Sequence, residues 1–360
     1  MGVSGQNDDG PTVGYVPLHP SMRPPGDRRR FPAYADDRCL PFSVVGDWAG
    51  LDMVVVSSEV DLVRWRRAPK GLVLVGDLPD AVLDEGRSLR TRARGMAKWI
   101  AGPLSRPVVD HHRTMGQLLE RADAVVCSTP EQAGNLGRYS SNVHVALDLH
   151  REITPVAPVR HEEAGRLDVV WEGLFPTLTA IEPVLPALRD LSRSLDVVLH
   201  LVTDRRALRF MNRFLPVDVR SVVSGWGIAV EIHDWGVDVL SRVASRCDLA
   251  IVPVDRTDPY TLGKPENRMR IFWRLGLAVL GSESPSHRRA CTVAGVSDDV
   301  LCVTTDDWSH ALERYGRDAD LRTRAAKAGH DAAMGPYGDE SVLSAWDAVF
   351  QSVGVQWPDL

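Results

Sequence analysis

The stretch from Asp248 to His287 constrains this chain more than any other. Its ends, Asp-Leu-Ala-Ile-Val-Pro-Val at 248–254 and Leu-Ala-Val-Leu-Gly-Ser at 277–282, are short apolar runs with almost no polar alternation. Such runs read as strands buried on both faces of a parallel sheet. The segment between them reads as a loop and a helix. Gly263 loosens the turn, Pro265 suits a first helical position, and Ile271, Phe272 and Leu275 recur at helical spacing. A βαβ unit of this kind sets its loop at a strand's carboxyl end, where open α/β sheets bind ligands. Lys264, Asn267 and Arg268 then offer two cations and an amide beside unpaired helix N–H groups, a place for an anion. The plainer alternative is that Glu266 complements the helix dipole and pairs with Arg270, while the other charges face water.

The same alternation runs through the chain. Strands are expected at Thr12–Leu18, Asp52–Ser57, Gly71–Gly76, in Ala-Asp-Ala-Val-Val-Cys-Ser-Thr at 122–129, and at Asn142–Leu147; a second series comprises Leu167–Glu172, Asp196–Val202, Ile228–His233 and Val300–Val303. Helices are expected between them, among them Asp61–Arg67, Glu182–Ser194 and Leu208–Phe214, with three more at the end. Two successive sets argue for an α/β protein of two doubly wound domains, and 360 residues suffice for two cores. The expected division is a disordered tail 1–11, a first domain 12–150, a Pro-rich linker 151–165, a second domain 166–338 and a closing helical segment 339–360.

Composition excludes several classes. A net charge of −6 gives no global attraction to nucleic acid. Neither Gly-x-Gly-x-x-Gly nor a Walker loop is present, against a dinucleotide oxidoreductase or an NTPase. Five scattered cysteines read as small buried hydrophobes in a reducing compartment. The amino terminus lacks a signal peptide's pattern and no apolar run approaches spanning length, so a cytoplasmic protein is expected. Adjacent His111 and His112 lack an acid or cysteine at ligand spacing, and no metal site is expected.

The residues Cys-Asp-Leu-Ala-Ile-Val-Pro at 247–253, Lys-x-x-Asn-Arg at 264–268 and Leu-Gly-Leu-Ala-Val-Leu-Gly-Ser at 275–282, with Ala-Asp-Ala-Val-Val-Cys-Ser-Thr in the first half, carry a family resemblance. The chain resembles retaining glycosyltransferases of the GT-B type (glycosyltransferase family 4, group 1), with two Rossmann-like domains facing each other across a cleft. The resemblance implies that Lys264 and Arg268 contact the diphosphate of a nucleotide sugar, Glu266 and Asn267 the donor's hydroxyls, and Ser282, Glu283 and Ser284 the transferred sugar. Thr203, Asp204 and Trp235, at the ends of two strands, fall on the donor side; Trp235 reads as a core residue or as a base contact. Many family members carry two glutamates seven residues apart, and neither Glu266 nor Glu283 has such a partner.

On the acceptor side, the resemblance brings the loop after the first strand to the cleft, with His19 and Arg23. Arg28–Arg30 reads as a solvated basic loop neutralised by Asp27, Asp36 and Asp37. Asp77 and Asp80 resemble an Asp-x-x-Asp near the acceptor and are the candidate catalytic carboxylates, with a helix-cap role open to either. The run 87–106 carries six cations and no acid, which suits either a solvated helix or peripheral contact with the inner face of a membrane. The expected activity is metal-independent transfer of a sugar from a nucleoside-diphosphate sugar to a glycan, lipid-linked or small-molecule acceptor, with retention, no cofactor and no nucleic-acid partner. A non-catalytic GT-B scaffold and a nucleotide-sugar epimerase are the alternatives.

Overall fold

The computed structural model describes residues 11–81, 83, 106, 108, 110–159, 165–208 and 216–355. The chain divides into two compact units, one of residues 1–149 with 342–360, the other of 150–341.

The first unit is built on a six-stranded sheet of β1 (Val13–Val16), β2 (Ser43–Val44), β3 (Met53–Ser57), β4 (Val73–Leu78), β5 (Ala124–Cys127) and β6 (Val143–Val145). Every pairing is parallel and the order is β2-β1-β3-β4-β5-β6. Val-rich strands with both faces covered are what a parallel sheet demands. Alternate residues divide between two cores. Val55, Val75 and Val126 join Tyr15, Phe31, Tyr34, Trp346 and Phe350 on one face, while Val54, Val56, Leu74 and Val125 meet Trp65, Leu118 and Leu119 on the other. The first core draws on the far end of the chain: Trp346 and Phe350 stack on Tyr34 at 5.8 and 5.2 Å between ring centres.

The triplet Arg28–Arg30 departs from expectation. Arg30 is fully buried, its Nε donating to both oxygens of Asp77 at 2.8 and 2.9 Å. Nη1 donates to the Ala146 carbonyl at 2.9 Å and lies 3.3 Å from Asp148. A guanidinium can be buried only when its donors are met by acceptors and its charge by anions, and β4 with the segment after β6 supplies both. Burial works against its charge, but Asp77 and Asp148 more than offset this and raise its pKa. Asp27 does other work: it is also fully buried and accepts from Tyr15 Oη at 2.7 Å and from the Leu18 and His19 N–H groups at 2.7 and 3.1 Å, fixing the loop after β1.

The second unit holds β7 (Arg166–Glu172), β8 (Asp196–Thr203), a short antiparallel pair β9 (Arg206–Leu208) and β10 (Pro216–Asp218), then β11 (Ala229–Asp234), β12 (Leu249–Val252), β13 (Ala278–Ser282) and β14 (Leu301–Cys302). Its main sheet is parallel, in the order β11-β8-β7-β12-β13-β14. Relabelled within the unit this is 3-2-1-4-5-6, the Rossmann order, whose direction reverses between β7 and β12. The helix expected at Leu208–Phe214 gives way to a hairpin arm at Leu208; 209–215 lie outside the described residues. Between Phe175 and Val184 the chain is 3₁₀-helical, and an α-helix starts only at Leu185, because Pro183 and Pro186 interrupt the α-pattern.

The expected linker is ordered over 151–159. Ile153 is fully buried, its carbonyl accepts from Arg274 Nε at 2.6 Å, and the Val156 N–H donates to the Arg274 carbonyl at 2.9 Å. This approach explains Gly276 in the Leu-Gly-Leu motif. Its φ is +77°, and a Cβ there would stand 2.7 Å from the Val156 carbonyl oxygen.

Candidate functional site

Topology selects the site before side chains do. In a doubly wound sheet, loops that leave the strands' carboxyl ends on either side of the order reversal part and leave a crevice. In the second unit that point lies between β7, which ends at Glu172, and β12, whose following loop leads through a short helix Pro259–Leu262 to the helix Asn267–Arg274.

Glu172 is the joint of this crevice. One carboxylate oxygen accepts from Trp235 Nε1 at 2.8 Å, and the other lies 3.9 Å from Arg268 Nε. Both Arg268 and Glu172 keep solvent access, with side chains 28% and 16% exposed. Lys264, also half-buried, holds its ammonium 4.9 Å from the centre of the Tyr260 ring. The helix start at Asn267 has no side-chain cap, so its first-turn N–H groups add a positive end to these cations. Two cations and a helix amino terminus, opposed by one carboxylate at longer than hydrogen-bond distance, can take up an anion by exchanging Glu172 for it.

Glu266 differs from expectation. It is 1% exposed, and its oxygens accept from Tyr337 Oη at 2.9 Å and Arg289 Nη2 at 3.1 Å. Its carboxylate is tied to Tyr337 and Arg289 and anchors the helix start. Pro265 accordingly precedes the helix, which begins two residues later than its position suggests. Arg270 turns to the Tyr337 carbonyl at 3.0 Å. The half-buried Asn267 amide oxygen accepts from Arg270 Nη1 at 3.3 Å.

The loop after β13 is closely tied. Ser282 Oγ accepts from the Val254 N–H at 3.0 Å, joining the ends of β12 and β13. Ser284 caps the helix Pro285–Ala294 by accepting from the His287 N–H at 3.2 Å. Glu283 is held between Arg256, at 3.2 Å, and Arg288. His287 is buried with Nδ1 2.7 Å from the Ser282 carbonyl. Burial holds its pKa below the ordinary histidine value, so Nδ1 carries the proton and donates. Thr203, at the end of β8, is fully buried and meets Trp235 through its backbone, its carbonyl accepting the Trp235 N–H at 3.1 Å. Its Oγ1 is buried without a hydrogen-bond partner among the described residues, and Asp204 beside it is exposed.

In the first unit, His19 and Arg23 are exposed on the loop after β1, at that sheet's own order reversal between β1 and β3. His19 Nδ1 lies 2.8 Å from Ser21 Oγ. Asp77 is 1% exposed and paired with Arg30, the geometry of a structural counter-ion. Asp80, three residues on, keeps partial exposure. Whether either caps a following helix, and the structure of the basic run except Arg106, lie outside the described residues. His111 and His112 are buried in the helix His111–Arg121, which Asp110 caps. Cys39 is exposed, and the other four cysteines are buried. Among the described residues no helix is long and apolar enough to cross a membrane.

Sequence reasoning missed Glu172, Arg30 and a histidine pair on the second sheet. Glu172 had one signal, a carboxylate that follows the apolar run Val-Val-Trp at 169–171 and precedes a glycine.

No family model and no curated protein matches the sequence. The fold does have matches among solved structures. Anabaena Alr3699/HepE, solved with UDP-glucose, is 10% identical with a TM-score of 0.61, over 96% of this chain and 100% of that one. Sucrose-phosphate synthase from Thermosynechococcus elongatus is 14% identical with a TM-score of 0.58, over 90% and 76%. S. aureus TarM, solved with UDP and a GlcNAc-glycerol, is 8% identical with a TM-score of 0.53, over 83% of this chain and 55% of that chain. The chain thus spans little more than half the length of TarM. These likenesses and the two parallel six-stranded sheets show the GT-B fold.

Proposed function

We propose that this GT-B chain is a glycosyltransferase that takes its sugar from a nucleoside-diphosphate sugar bound at the carboxyl ends of the second sheet. The observation that carries the reading is the Glu172–Arg268–Trp235 junction with Lys264 beside the uncapped helix start. Support comes from the full-length likeness to a protein solved with UDP-glucose.

In this reading Lys264, Arg268 and the helix N–H groups hold the diphosphate and stabilise the negative charge that grows on it as the glycosidic bond breaks. Preorganised charge of this kind is commonly the largest catalytic contribution. The cations do here what a divalent ion does elsewhere, so the transfer is metal-independent. Trp235 lies where it can border the base, and Asn267 and Asp204 are the polar groups nearest to hand for ribose or sugar hydroxyls. Ser282, Glu283 and Ser284 shape the loop beside the sugar through contacts within the chain. The acceptor is a glycan, a lipid-linked sugar or a small molecule, approached by His19, Arg23 and Asp80, with peripheral membrane contact through 87–106. Retention rests on the family resemblance alone.

The inward commitment of Glu266 favours one second reading, a GT-B homologue that binds nucleotide without turning it over. Thermal unfolding with UDP, GDP, TDP and ADP, followed by UDP-sugar turnover, separates the two. A ligand at about a hundred times its dissociation constant adds roughly 2.7 kcal/mol and moves the midpoint by several degrees. The expected result is a shift with one nucleotide, persisting in EDTA against a matched EDTA control, and nucleotide release from the corresponding sugar donor. A shift without turnover favours the second reading, and no shift in folded protein rejects both.

A further inference from the structure

At its edge, the second sheet gathers polar side chains on one face. His200 stands in the middle of β8, an otherwise apolar strand from Val197 to Val202. The edge strand β11 places Glu231 directly opposite it in register, and His233 follows two residues on, on the same face. His200 Nδ1 lies 3.1 Å from His233 Nε2 and 3.4 Å from Glu231 Oε2; His233 Nε2 and Glu231 Oε2 are 3.8 Å apart. Three ligand-type atoms from two strands thus converge on one point.

We propose that His200, Glu231 and His233, none of which the nucleotide reading uses, form a binding site for a zinc-class divalent transition metal ion. Metal–ligand bonds of about 2.0–2.1 Å in tetrahedral geometry set neighbouring ligand atoms about 3.3 Å apart. The observed triangle brackets that spacing. Two imidazoles and one carboxylate suit zinc, cobalt or nickel, whereas magnesium and calcium take all-oxygen sets. The ring planes differ by 20° and their centres are 5.4 Å apart, so the two nitrogens face each other edge to edge. Nitrogens so placed are joined by a shared proton or by a metal ion, and metal uptake displaces that proton.

The surroundings fit a ligand set. His200 Nε2 donates to Asp168 Oδ1 at 2.7 Å, which turns the Nδ1 lone pair towards the site. Asp168 in turn is gripped by Arg166 at 2.7 and 2.9 Å. A carboxylate behind a histidine is the usual outer support of a metal ligand. Glu231 is 54% exposed and His233 20%, so an ion reaches the site from solvent and a fourth position stays open to water.

The test is Co(II) titration of the untagged full chain after chelator treatment and dialysis, followed by visible absorption. Expected are the d–d bands of a low-coordinate Co(II) saturating at one ion per chain, proton release on binding, and loss of the bands when Zn(II) is added. His233→Gln and Glu231→Gln, both on the edge strand and checked for folding by circular dichroism, are each expected to weaken binding at least tenfold. Asp168→Asn weakens it by about 10–100-fold and leaves the band positions in place. A folded wild-type chain without bands, or identical titrations of wild type and both edge-strand variants, overturns the proposal.

Discussion

The two sheets each carry arginine and carboxylate near strand carboxyl ends, and treat them in opposite ways. In the first, Arg30 and Asp77 are buried, matched by bonds of 2.8 and 2.9 Å, and joined by Asp148, Ser128 and the Ala146 carbonyl. In the second, Arg268 and Glu172 stand 3.9 Å apart with access to water, beside Lys264 and an uncapped helix start. The same chemical pair is a structural tie where the cation is buried between two carboxylates, and a receptive site where the cation is left loosely matched. Charge type alone does not separate the two; the completeness of pairing does.

Substitution should break this contrast most visibly in the first unit. Arg30→Met leaves Asp77 and Asp148 buried without their cation, and the expected loss is about 3–5 kcal/mol of stability. Arg268→Ala should change stability by no more than about 0.5 kcal/mol. Urea unfolding of both variants checks the pair, and equal losses would erase the distinction.

Activity should show the reverse. Lys264→Ala and Arg268→Ala are each expected to remove about 2–4 kcal/mol of transition-state stabilisation. Donor turnover at saturating nucleotide sugar is the measurement. Unchanged rates in both variants would rule out the diphosphate assignment.

Protonation sharpens the comparison through His287, which lies in the second unit but is built like the first unit's charges, buried and internally bonded. Burial lowers its folded pKa below the unfolded value of about 6.5. Its contribution is therefore complete above pH about 6.5. As pH falls below that, the unfolded chain takes the proton first and stability declines, by at most about 1.4 kcal/mol per pH unit, until the folded pKa is reached. Unfolding of wild type and His287→Gln from pH about 7.5 to 5.5 should show that part of the slope flattened in the variant.

The sequence carried the strands and the alternation well, because runs such as 53–56 and Leu249–Val252 are apolar throughout and suit a doubly covered parallel sheet. It placed Lys264 and Arg268 on either side of a helix start because their spacing along the chain is local. What it could not carry was pairing across long separations. Arg30 looked neutralised by Asp27, Asp36 and Asp37, yet its partners lie 47 and 118 residues away. Glu172 and Trp235 are 63 residues apart, and the histidine pair 33, joined only by strand register. Glu266 carries the motif position but faces Tyr337, which no local pattern reveals.

Glu172 offers the finest test of the contrast, since it is the acid set against Arg268. Glu172→Gln keeps an oxygen to accept the Trp235 N–H, and removes the charge that competes with an incoming diphosphate for Arg268. A partly exposed pair of this length contributes about 0.2–1 kcal/mol, so nucleotide affinity should rise only severalfold. The gain should shrink with added salt, because the removed term is Coulombic and solvent-screened. Calorimetric titration of the variant with UDP at low and high salt reads both effects. A fall in affinity would instead mean that Glu172 acts mainly by positioning Arg268, and that the second unit's pair is a tie of the same kind as the first.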